Sequence, residues 1–395
     1  MVTAKLVRVG LVLTHGLAYC RGVLRGIKEF AETRPEWLLM PVPPESQEIR
    51  AVARMKLSGA IAHVYTDELH RAVRGLKKPW VNVAAVLKSP PGPRVGIDDG
   101  LVGKLAATHL LERGLSHFAF LGHGDHYYSV ERERGFREAL AGAGRSAFVY
   151  HEREGIRFDP VGRLWALDSG IGRWLRGLPK PLGVFAPNDI WGLHLTEVCR
   201  QMALRVPEDV AIVGVDNDDL LCGLARPALS SIAIPSEKVG HAAAEMLARL
   251  LAGRRVSSRP MVFPPLGVVS RRSSDVLAID DGDVVAAARF IREHGHQPLC
   301  VGDVLAAVPV SRRSLERRFR GHLGRSLLDE IRRVHVDLAK GLLAGSDLAM
   351  HAIAQRAGFS AAKQFSIVFR QLTGTTPRDY RKQIRSRSGG ATRQR

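Results

Sequence analysis

Cysteine is scarce in this chain of 395 residues, and its positions exclude two classes of site. The four cysteines are far apart in the sequence, at Cys20, Cys199, Cys222 and Cys300. No Cys-x-x-Cys pair occurs, and no spacing typical of a metal site is present. Isolated thiols in a chain of this length are typical of a reducing compartment.

Long hydrophobic runs and a signal peptide are also missing. No stretch approaches 18 uninterrupted apolar residues, so we expect no membrane span. The N-terminal sequence MVTAKLVRVGLVLTHG has too short an apolar run for a signal peptide, and no small-residue cleavage site follows it. We therefore expect a soluble, cytoplasmic protein with no membrane partner.

Motifs that mark common enzymes are absent as well. We find no carboxylates paired at helical spacing, no nucleophile elbow and no glycine-rich loop that would cradle a phosphate. The sequence therefore predicts that the chain is not an enzyme, and we expect neither a cofactor nor a metal ion.

Acidic residues are outnumbered by basic ones. The chain has 58 Lys and Arg against 39 Asp and Glu, a formal net charge of +19. Residues 276–395 alone hold 21 basic and 11 acidic residues, so the excess is concentrated in the last third of the chain. Such an excess favours binding to polyanions. Nucleic acid is the first candidate for this partner and an anionic membrane is the second. We therefore expect the C-terminal part to bind nucleic acid.

The first 270 residues alternate between short apolar runs and amphipathic stretches. This pattern predicts an α/β fold with doubly wound parallel sheets. The length is too great for one such sheet, so we expect two lobes with a cleft between them. The predicted strands are 7–13, 59–64, 80–86, 118–122, 182–186 and 210–216, and the predicted helices are 20–32, 99–113, 129–142, 189–203 and 236–252.

Polar side chains follow the predicted strands, at the edge where parallel sheets bind ligands. Asp, Asn and His in a cleft suit a small polyhydroxylated ligand. For each residue alone, capping of the next helix is an equally good explanation. The residues in question are Thr14, His15, Tyr19, His63, Tyr65, His123, Asp125, Asn188, Asp189, Asp216 and Asn217.

Several segments, in order, resemble the effector domain of LacI/GalR-type regulators and of periplasmic sugar-binding proteins. They include HLLERGLSHFAFLGHGD, SVERERGFREAL, FAPNDIWGLHL and VAIVGVDNDD, and the resemblance spans about residues 6–272. It implies that Arg132, Asp189 and Asp216 contact the effector. LacI-type regulators carry a helix-turn-helix before the first strand, and here the first strand begins too early to leave room for one. Any DNA-binding element must therefore lie elsewhere.

Two short helix-turn-helix patterns follow in the last 110 residues. The first joins helices 301–307 and 312–320, with Pro309 ending one and Ser311 capping the next. The second joins helices 350–357 and 361–371 through Gly358-Phe359, and a long helix at 326–343 lies between the two modules. We expect apolar stripes at Leu327, Leu328, Ile331, Val334, Leu338 and Leu342 of the long helix, and at Phe365, Val368, Phe369 and Leu372 of the last module.

This region resembles the DNA-binding domain of the AraC/XylS family over about residues 280–385. The specific motifs are IAxxxGFS, FSxxFR and GTTPxxYR at family spacing. The resemblance places Arg313 and Arg317 of the first recognition helix, and Ala362, Lys363 and Ile367 of the second, against bases. Arg320 and Arg370 would hold phosphates, and the DNA contacts would further include Arg312, Ser314 and Ser360. Phosphate contact alone is the alternative for Arg313, Arg317 and Lys363, and the second module is expected to read thymine methyls or shape, or to hold phosphate.

A sensor domain in front of an AraC-type domain is an unusual order, similar to that of bacterial xylose-operon activators. We therefore predict domains at 1–272 and 282–386, joined by a linker at 273–281 and followed by a disordered basic tail at 387–395. The expected partners are double-stranded DNA, a monosaccharide such as xylose and a second copy of the chain, with RNA polymerase a candidate.

Three alternatives stay open at this point: a sugar-transport component, a regulator that senses a non-sugar metabolite such as a purine, and a vestigial cleft. His63 stands where xylose activators have a carboxylate, so the identity of the sugar is also open.

Overall fold

A computed structural model describes residues 6–124, 126–152, 170–276, 281–346 and 348–385. The chain divides into two compact units, and the first of them ends at Val276. Part of the predicted linker and the whole of the predicted tail lie outside the described residues. Each unit is treated by itself below.

The first unit is an α/β structure. Its strands are β1 Val7–Val12, β2 Trp37–Val42, β3 Gly59–Ala62, β4 Trp80–Asn82, β5 Val95–Ile97, β6 His117–His123, β7 Ala147–Glu152, β8 Leu182–Phe185, β9 Val210–Val215, β10 Ser230–Ala233, β11 Met261–Phe263 and β12 Gly267–Val269. Its helices are α1 Ala18–Glu32, α2 Ser46–Ala53, α3 Asp67–Gly75, α4 Asp99–Leu111, α5 Tyr127–Gly142, α6 Gly170–Gly177, α7 Asp189–Gln201, α8 Asp219–Leu224 and α9 Ser236–Leu251, followed by a 3₁₀ turn at Arg272–Ser274.

Two principal sheets form two lobes in this unit. The first has the strand order β2-β1-β3-β4 and is entirely parallel. The second has the order β12-β10-β9-β8-β6-β7, in which only β12 runs antiparallel. Strand β9 is buried along its whole length, as the near-continuous apolar sequence VAIVGV requires. The predicted α/β class with parallel sheets is confirmed.

The end of the first unit reaches into the predicted linker. Ser273 and Ser274 are completely buried. The Ser273 hydroxyl donates to the carbonyl of Ile212 at 2.7 Å and accepts from the amide of Ser230 at 2.8 Å. These bonds tie the 3₁₀ turn to the second sheet, so we propose to move the limit of the first domain from 272 to 275.

The second unit is entirely helical over its described residues. Its helices are α10 Gly282–His294, α11 Val301–Ala307, α12 Arg312–Leu323, α13 Leu327–Gly345, α14 Met350–Arg356, α15 Ala362–Thr373 and α16 Pro377–Arg385. The side chain of Asp281 caps α10 by accepting from the amides of Asp283 and Val284. Ser311 caps α12 as predicted, accepting from the amide of Ser314.

Helix α13 holds the two helix-turn-helix modules together. Leu327, Ile331 and Val334, in its first half, pack into a core with α10, α11 and α12. Val336, Ala339 and Leu343, in its second half, pack into a core with α14 and α15. At 19 residues the helix is about 28 Å long. It therefore fixes the spacing of the two modules.

Three of the predicted apolar-stripe positions are wrong. Leu328 and Leu338 are exposed, because the buried stripe in the second half of α13 runs through Val336, Ala339 and Leu343 instead. Leu372 of α15 is exposed because it lies beyond the core of its module. The turn at Gly358 is as predicted. Its φ is +80°, and an added Cβ would lie 2.5 Å from the carbonyl oxygen of Gly295, so only glycine fits there. Within the described ranges no helix is both long and apolar enough to cross a membrane.

The close packing of α4 on α5 yields a first prediction. A Cβ added at Gly135 of α5 would lie 1.9 Å from the carbonyl oxygen of Gly100 on α4. Gly135→Ala must therefore push the two helices apart, and we expect it to lower the free energy of unfolding by about 1–3 kcal/mol. Chemical denaturation of the full chain, followed by circular dichroism, measures the change.

Gly142→Ala is the matched control. Gly142 ends the same helix, and a Cβ there meets no atom within 4 Å. Alanine is the better helix former, so this variant should equal the parent or exceed its stability by up to about 1 kcal/mol. Equal stabilities of the two variants would contradict the close packing.

Candidate functional site

A cavity of about 870 Å³ opens between the two lobes of the first unit. Its lining comes from both sheets, at the carboxyl ends of the strands, where the topology of an open parallel sheet places a ligand. Eight of the predicted residues line it: Thr14, Tyr19, His63, Tyr65, His123, Arg132, Asn188 and Asp216. His15, Asp189 and Asn217 do not line it, and Asp125 lies outside the described residues.

An ion pair that is almost fully buried lies in the cavity wall. Arg132 of α5 is 6% exposed and Asp99, the first residue of α4, is 5% exposed. The guanidinium Nε donates to a carboxylate oxygen of Asp99 at 2.9 Å, and Nη1 donates to the carbonyl of Pro187. The guanidinium carbon also lies 4.9 Å from the centre of the Tyr128 ring. Arg132 is therefore held in one orientation before any ligand binds.

Asp216 stands at the exit of β9, where the backbone turns sharply. Its φ is +106°, a conformation that a residue other than glycine rarely adopts. Burial raises the pKa of its carboxyl to about 7, the charge of Arg132 opposes that rise, and the charge of Asp99 adds to it. The turn at Asp216 therefore places a carboxyl group with a raised pKa in the lining of the cavity.

Asp189 lies behind the cavity and does not line it. Its carboxylate accepts hydrogen bonds from the hydroxyl of Ser231 at 2.5 Å and from the amide of Asp218 at 2.8 Å. Burial, followed by the nearby charge of Asp216, raises its pKa. The structure thus places Asp189 where it fixes the loop that follows β9, and its predicted contact with the effector would have to be indirect.

Two further predicted residues have local structural roles. Asn188 lines the cavity and also caps α7, since its side-chain oxygen accepts from the amide of Trp191 at 3.1 Å. The capping explanation therefore applies to this residue, and its ligand contact stays a prediction that its place in the cavity lining allows. His15 is exposed and outside the cavity lining, and its carbonyl accepts from Arg21.

The first lobe contributes an aromatic wall. The rings of Tyr19 and Tyr65 lie on either side of His63, with centroids 6.0 and 5.8 Å from it. The Tyr19 hydroxyl donates to the carbonyl of Val83 at 2.6 Å. Burial lowers the pKa of His63 to about 4, so its imidazole is neutral near pH 7.

Three buried polar atoms of residues in the cavity lining lack a protein partner. Thr14 Oγ1, His63 Nδ1 and the indole Nε1 of Trp191 are buried and make no hydrogen bond to any described residue. A buried polar group that lacks a partner is unfavourable by about 1–3 kcal/mol. These atoms have almost no accessible surface, so a ligand supplies the missing hydrogen bonds only where the side chain turns toward the cavity.

Several of these residues were missed by sequence reasoning. Asp99 follows β5, a strand of only three residues within the segment KSPPGPRVGIDDG, which is too short to be found from its pattern. Tyr128, Trp191 and Asp218 were missed as well. Asp218 accepts a hydrogen bond from Arg21 of α1 at 2.9 Å, an ion pair that joins the two lobes across the cavity.

The helix-turn-helix unit presents a basic face. Arg313, Arg317 and Arg320 of α12 are exposed, and no ion pair to a described residue engages them. Arg312 differs, because its Nε donates to Glu316 at 3.0 Å. On α15, Lys363 and Arg370 are exposed, while Ser360 Oγ donates to Gln364 at 2.8 Å. Ser314 is engaged through its amide by Ser311.

Comparison with known proteins matches both units. A family model described as a periplasmic binding protein-like domain matches residues 107–274, and one described as a helix-turn-helix domain matches residues 304–383. The xylose operon regulatory protein of Escherichia coli strain K12 is 30% identical over 382 residues, which is 95% of this chain and 96% of that one. This chain belongs to the family of xylose operon regulatory proteins.

A second relative and a solved structure also match over nearly the whole chain. The protein of Haemophilus influenzae is 28% identical over 96% of this chain and 99% of its own. A solved structure described as the xylose-binding transcription activator xylR is 29% identical, with a TM-score of 0.60, and the match covers 97% of this chain and 99% of that one. The relatives are transcription regulators, so the chain is a helix-turn-helix transcription regulator and not an enzyme.

The raised pKa of Asp216 yields a prediction for ligand-free protein. The folded state takes up a proton near pH 7, whereas an unfolded aspartate does so near pH 3.8, so stability falls as pH rises through this window. Asp216→Asn has no such titration. We expect its melting temperature to rise relative to that of the parent between pH 5 and pH 8.

Thermal unfolding of both proteins at the two pH values gives the measurement. Titrations of groups that do not interact with Asp216 cancel in the difference. The titration of Asp189 does not cancel, because loss of the Asp216 charge lowers the raised pKa of Asp189, and this changes the difference in the same direction. A difference in melting temperature that stays constant with pH would contradict a buried, titrating Asp216.

Proposed function

We propose that this chain activates transcription of carbohydrate catabolism genes and that a neutral monosaccharide, xylose or a related sugar, controls it from the interlobe cavity. The buried Arg132–Asp99 pair with Asp216 beside it carries the proposal. Carboxylates accept hydrogen bonds from sugar hydroxyl groups, and a guanidinium donates to a sugar oxygen. The proposed effector contacts are those of Tyr19, His63, Arg132, Asn188 and Asp216, with Asp189 acting through the loop behind them.

The charges in the cavity favour an effector without a phosphate group. Asp99, Asp216 and Asp218 line it against two cations, Arg21 and Arg132. Each cation is already paired with one of these carboxylates. An anionic effector would have to displace a carboxylate from a guanidinium, whereas a neutral polyol adds hydrogen bonds without breaking an ion pair.

A planar effector such as a purine is the second candidate, favoured by the aromatic side of the cavity. The rings of His123 and His126 stack with centroids 3.9 Å apart, and Trp191 lies 5.7 Å from His123 edge to face. Leu193, Leu220 and Leu224 extend this wall. A flat ring suits such a surface, but it would leave the hydroxyl-binding carboxyls unused.

The proposed macromolecular partner is operator DNA. Arg313 and Arg317 are placed to read guanine O6 and N7 in the major groove, and Arg320 and Arg370 to hold phosphates. Helix α13 is rigid and holds the two modules of one chain so that both can contact one half-site. A homodimer would then bind two paired half-sites on one duplex. RNA polymerase is the proposed further partner of an activator, and such a protein acts in the cytoplasm, where the chromosome is.

Effector binding would control DNA binding by shifting a conformational equilibrium. The Arg21–Asp218 ion pair joins the lobes, and a sugar held by Asp216 in one lobe and His63 in the other would add contacts across the same cleft. A ligand shifts such an equilibrium only by its difference in affinity for the two states. Contacts that exist only when the lobes are close together provide that difference.

A thermal-shift screen of the full chain tests the effector class. It should compare D-xylose, L-arabinose, D-ribose, D-glucose and D-galactose with a phosphorylated pentose and hypoxanthine. We expect one or a few neutral sugars to raise the melting temperature saturably, because a ligand at 100 times its Kd adds about 2.7 kcal/mol to stability. Asp216→Ala should abolish the shift.

Asp219→Ala supplies the matched control. Asp219 is a neighbouring carboxylate whose side chain is 90% exposed, and it does not line the cavity. This variant should keep the full response to the sugar. Equal shifts by all sugars in the parent and in Asp216→Ala would place the effector site elsewhere, and a response to hypoxanthine alone would favour the second candidate.

A further inference from the structure

The two recognition helices differ at the centre of their exposed faces. Helix α12 carries the exposed cations Arg313, Arg317 and Arg320. The corresponding face of α15 has an isoleucine, Ile367, at its centre, with 49% of the residue exposed. The two modules therefore cannot make the same contact at this central position, where α12 has Arg317, and what Ile367 contacts is a separate question.

The polar side chains of α15 next to Ile367 are engaged within the module. The Ser366 hydroxyl donates to the carbonyl of Ala362 at 3.1 Å, and Gln364 accepts from Ser360. Lys363 lies one turn before Ile367 and Arg370 one turn after it, so both cations flank the isoleucine on the same side of the helix. The centre of this face is apolar and its two ends are positive.

Single exposed apolar residues are common on protein surfaces and alone indicate nothing. Here the position matters, because the face lies on the second helix of a helix-turn-helix module, which enters the major groove. Cations at both ends match the two phosphate backbones that border the groove. Between them, the only apolar group that base pairs offer in the major groove is the thymine C5-methyl.

We infer that α15 recognises thymine, with the Ile367 side chain packed on a C5-methyl group and with Lys363 and Arg370 on the flanking phosphates. This inference rests on the proposed DNA-binding function and specifies the base class that the second module reads. Each half-site then combines a guanine-containing segment under α12 with a thymine-containing segment under α15.

Replacing thymine by deoxyuridine tests the contact directly, because it removes the methyl group and leaves every base-pairing edge unchanged. Duplexes are first selected from a random-sequence library with the full-length protein, in the presence and absence of the effector sugar. Each thymine of the selected duplex is then replaced in turn. At one or two positions we expect a loss of about fourfold in affinity, the effect of exposing one buried methyl group.

The variant Ile367→Ala assigns that loss to its side chain. It should bind the thymine duplex about as weakly as the parent binds the deoxyuridine duplex, and it should lose nothing further on replacement at the same position. Arg317→Ala should weaken binding to the selected sequence yet keep the full penalty for deoxyuridine. Ile367 is exposed, so its replacement should leave the melting temperature unchanged.

Leu372→Ala is the matched control. Leu372 is an equally exposed apolar residue, at 53%, near the end of the same helix and on a different side of it. The Leu372→Ala variant should keep the affinity of the parent for the thymine duplex, and it should lose as much affinity as the parent does when deoxyuridine replaces thymine. If deoxyuridine is tolerated everywhere, or if Ile367→Ala suffers the same penalty as the parent, the inference is wrong.

Other outcomes separate this inference from the proposed function. Unchanged DNA binding by Ile367→Ala with lost transcription in a reconstituted system would assign the isoleucine to a protein partner, and would overturn only the thymine contact. Failure of the parent protein to select any sequence would overturn the DNA-binding proposal as well.

Discussion

The sensor site depends on one buried ion pair, between Arg132 and Asp99. Two charges removed from water are stable only if each is well paired, and here both partners come from helices that touch through glycine. Gly135 of α5 lies against the backbone of α4 one turn beyond Arg132. The close approach of the helices therefore sets the position of the guanidinium, and the guanidinium in turn faces the buried carboxyl of Asp216. An error in helix packing would displace the binding groups directly.

The same pair explains the electrostatic character of the cavity. Asp99 satisfies one side of Arg132 and the carbonyl of Pro187 another, so the charge is neutralised before an effector arrives. Asp216 is left with a raised pKa because burial outweighs its attraction to Arg132. A site with paired charges, neutral imidazole and unpartnered polar atoms suits hydrogen bonding to a neutral molecule. It is poorly suited to a phosphate ester.

Much of this organisation could be predicted from the sequence, and the failures have physical reasons. Tyr19, His63 and Asp216 were found because apolar strands of four to six residues precede them in the sequence. Asp99 was missed because the strand before it has three residues. Asp189 was correctly placed at a strand end, but the sequence does not show that Ser231 and Asp218 would bind its carboxylate from behind.

The helical unit was predicted more completely, since its caps and turns are local. Ser311 and Gly358 set helix ends through their own backbone geometry and need no tertiary information. Side-chain exposure was predicted less well. Leu372 follows the apolar spacing of α15 but lies beyond the core formed by Phe365, Val368 and Phe369, and so remains exposed.

The central claim is that a sugar at the Arg132–Asp99–Asp216 cluster changes the affinity of the helix-turn-helix unit for DNA. Linkage makes this claim quantitative, because the factor by which the sugar changes DNA affinity must equal the factor by which DNA changes sugar affinity. Titration calorimetry of the full chain with each ligand, in the absence and presence of the other at saturation, measures both factors. The account predicts two equal factors of roughly 5–150. If both ligands bind but neither changes the affinity for the other, so that both factors equal one, the central claim is wrong.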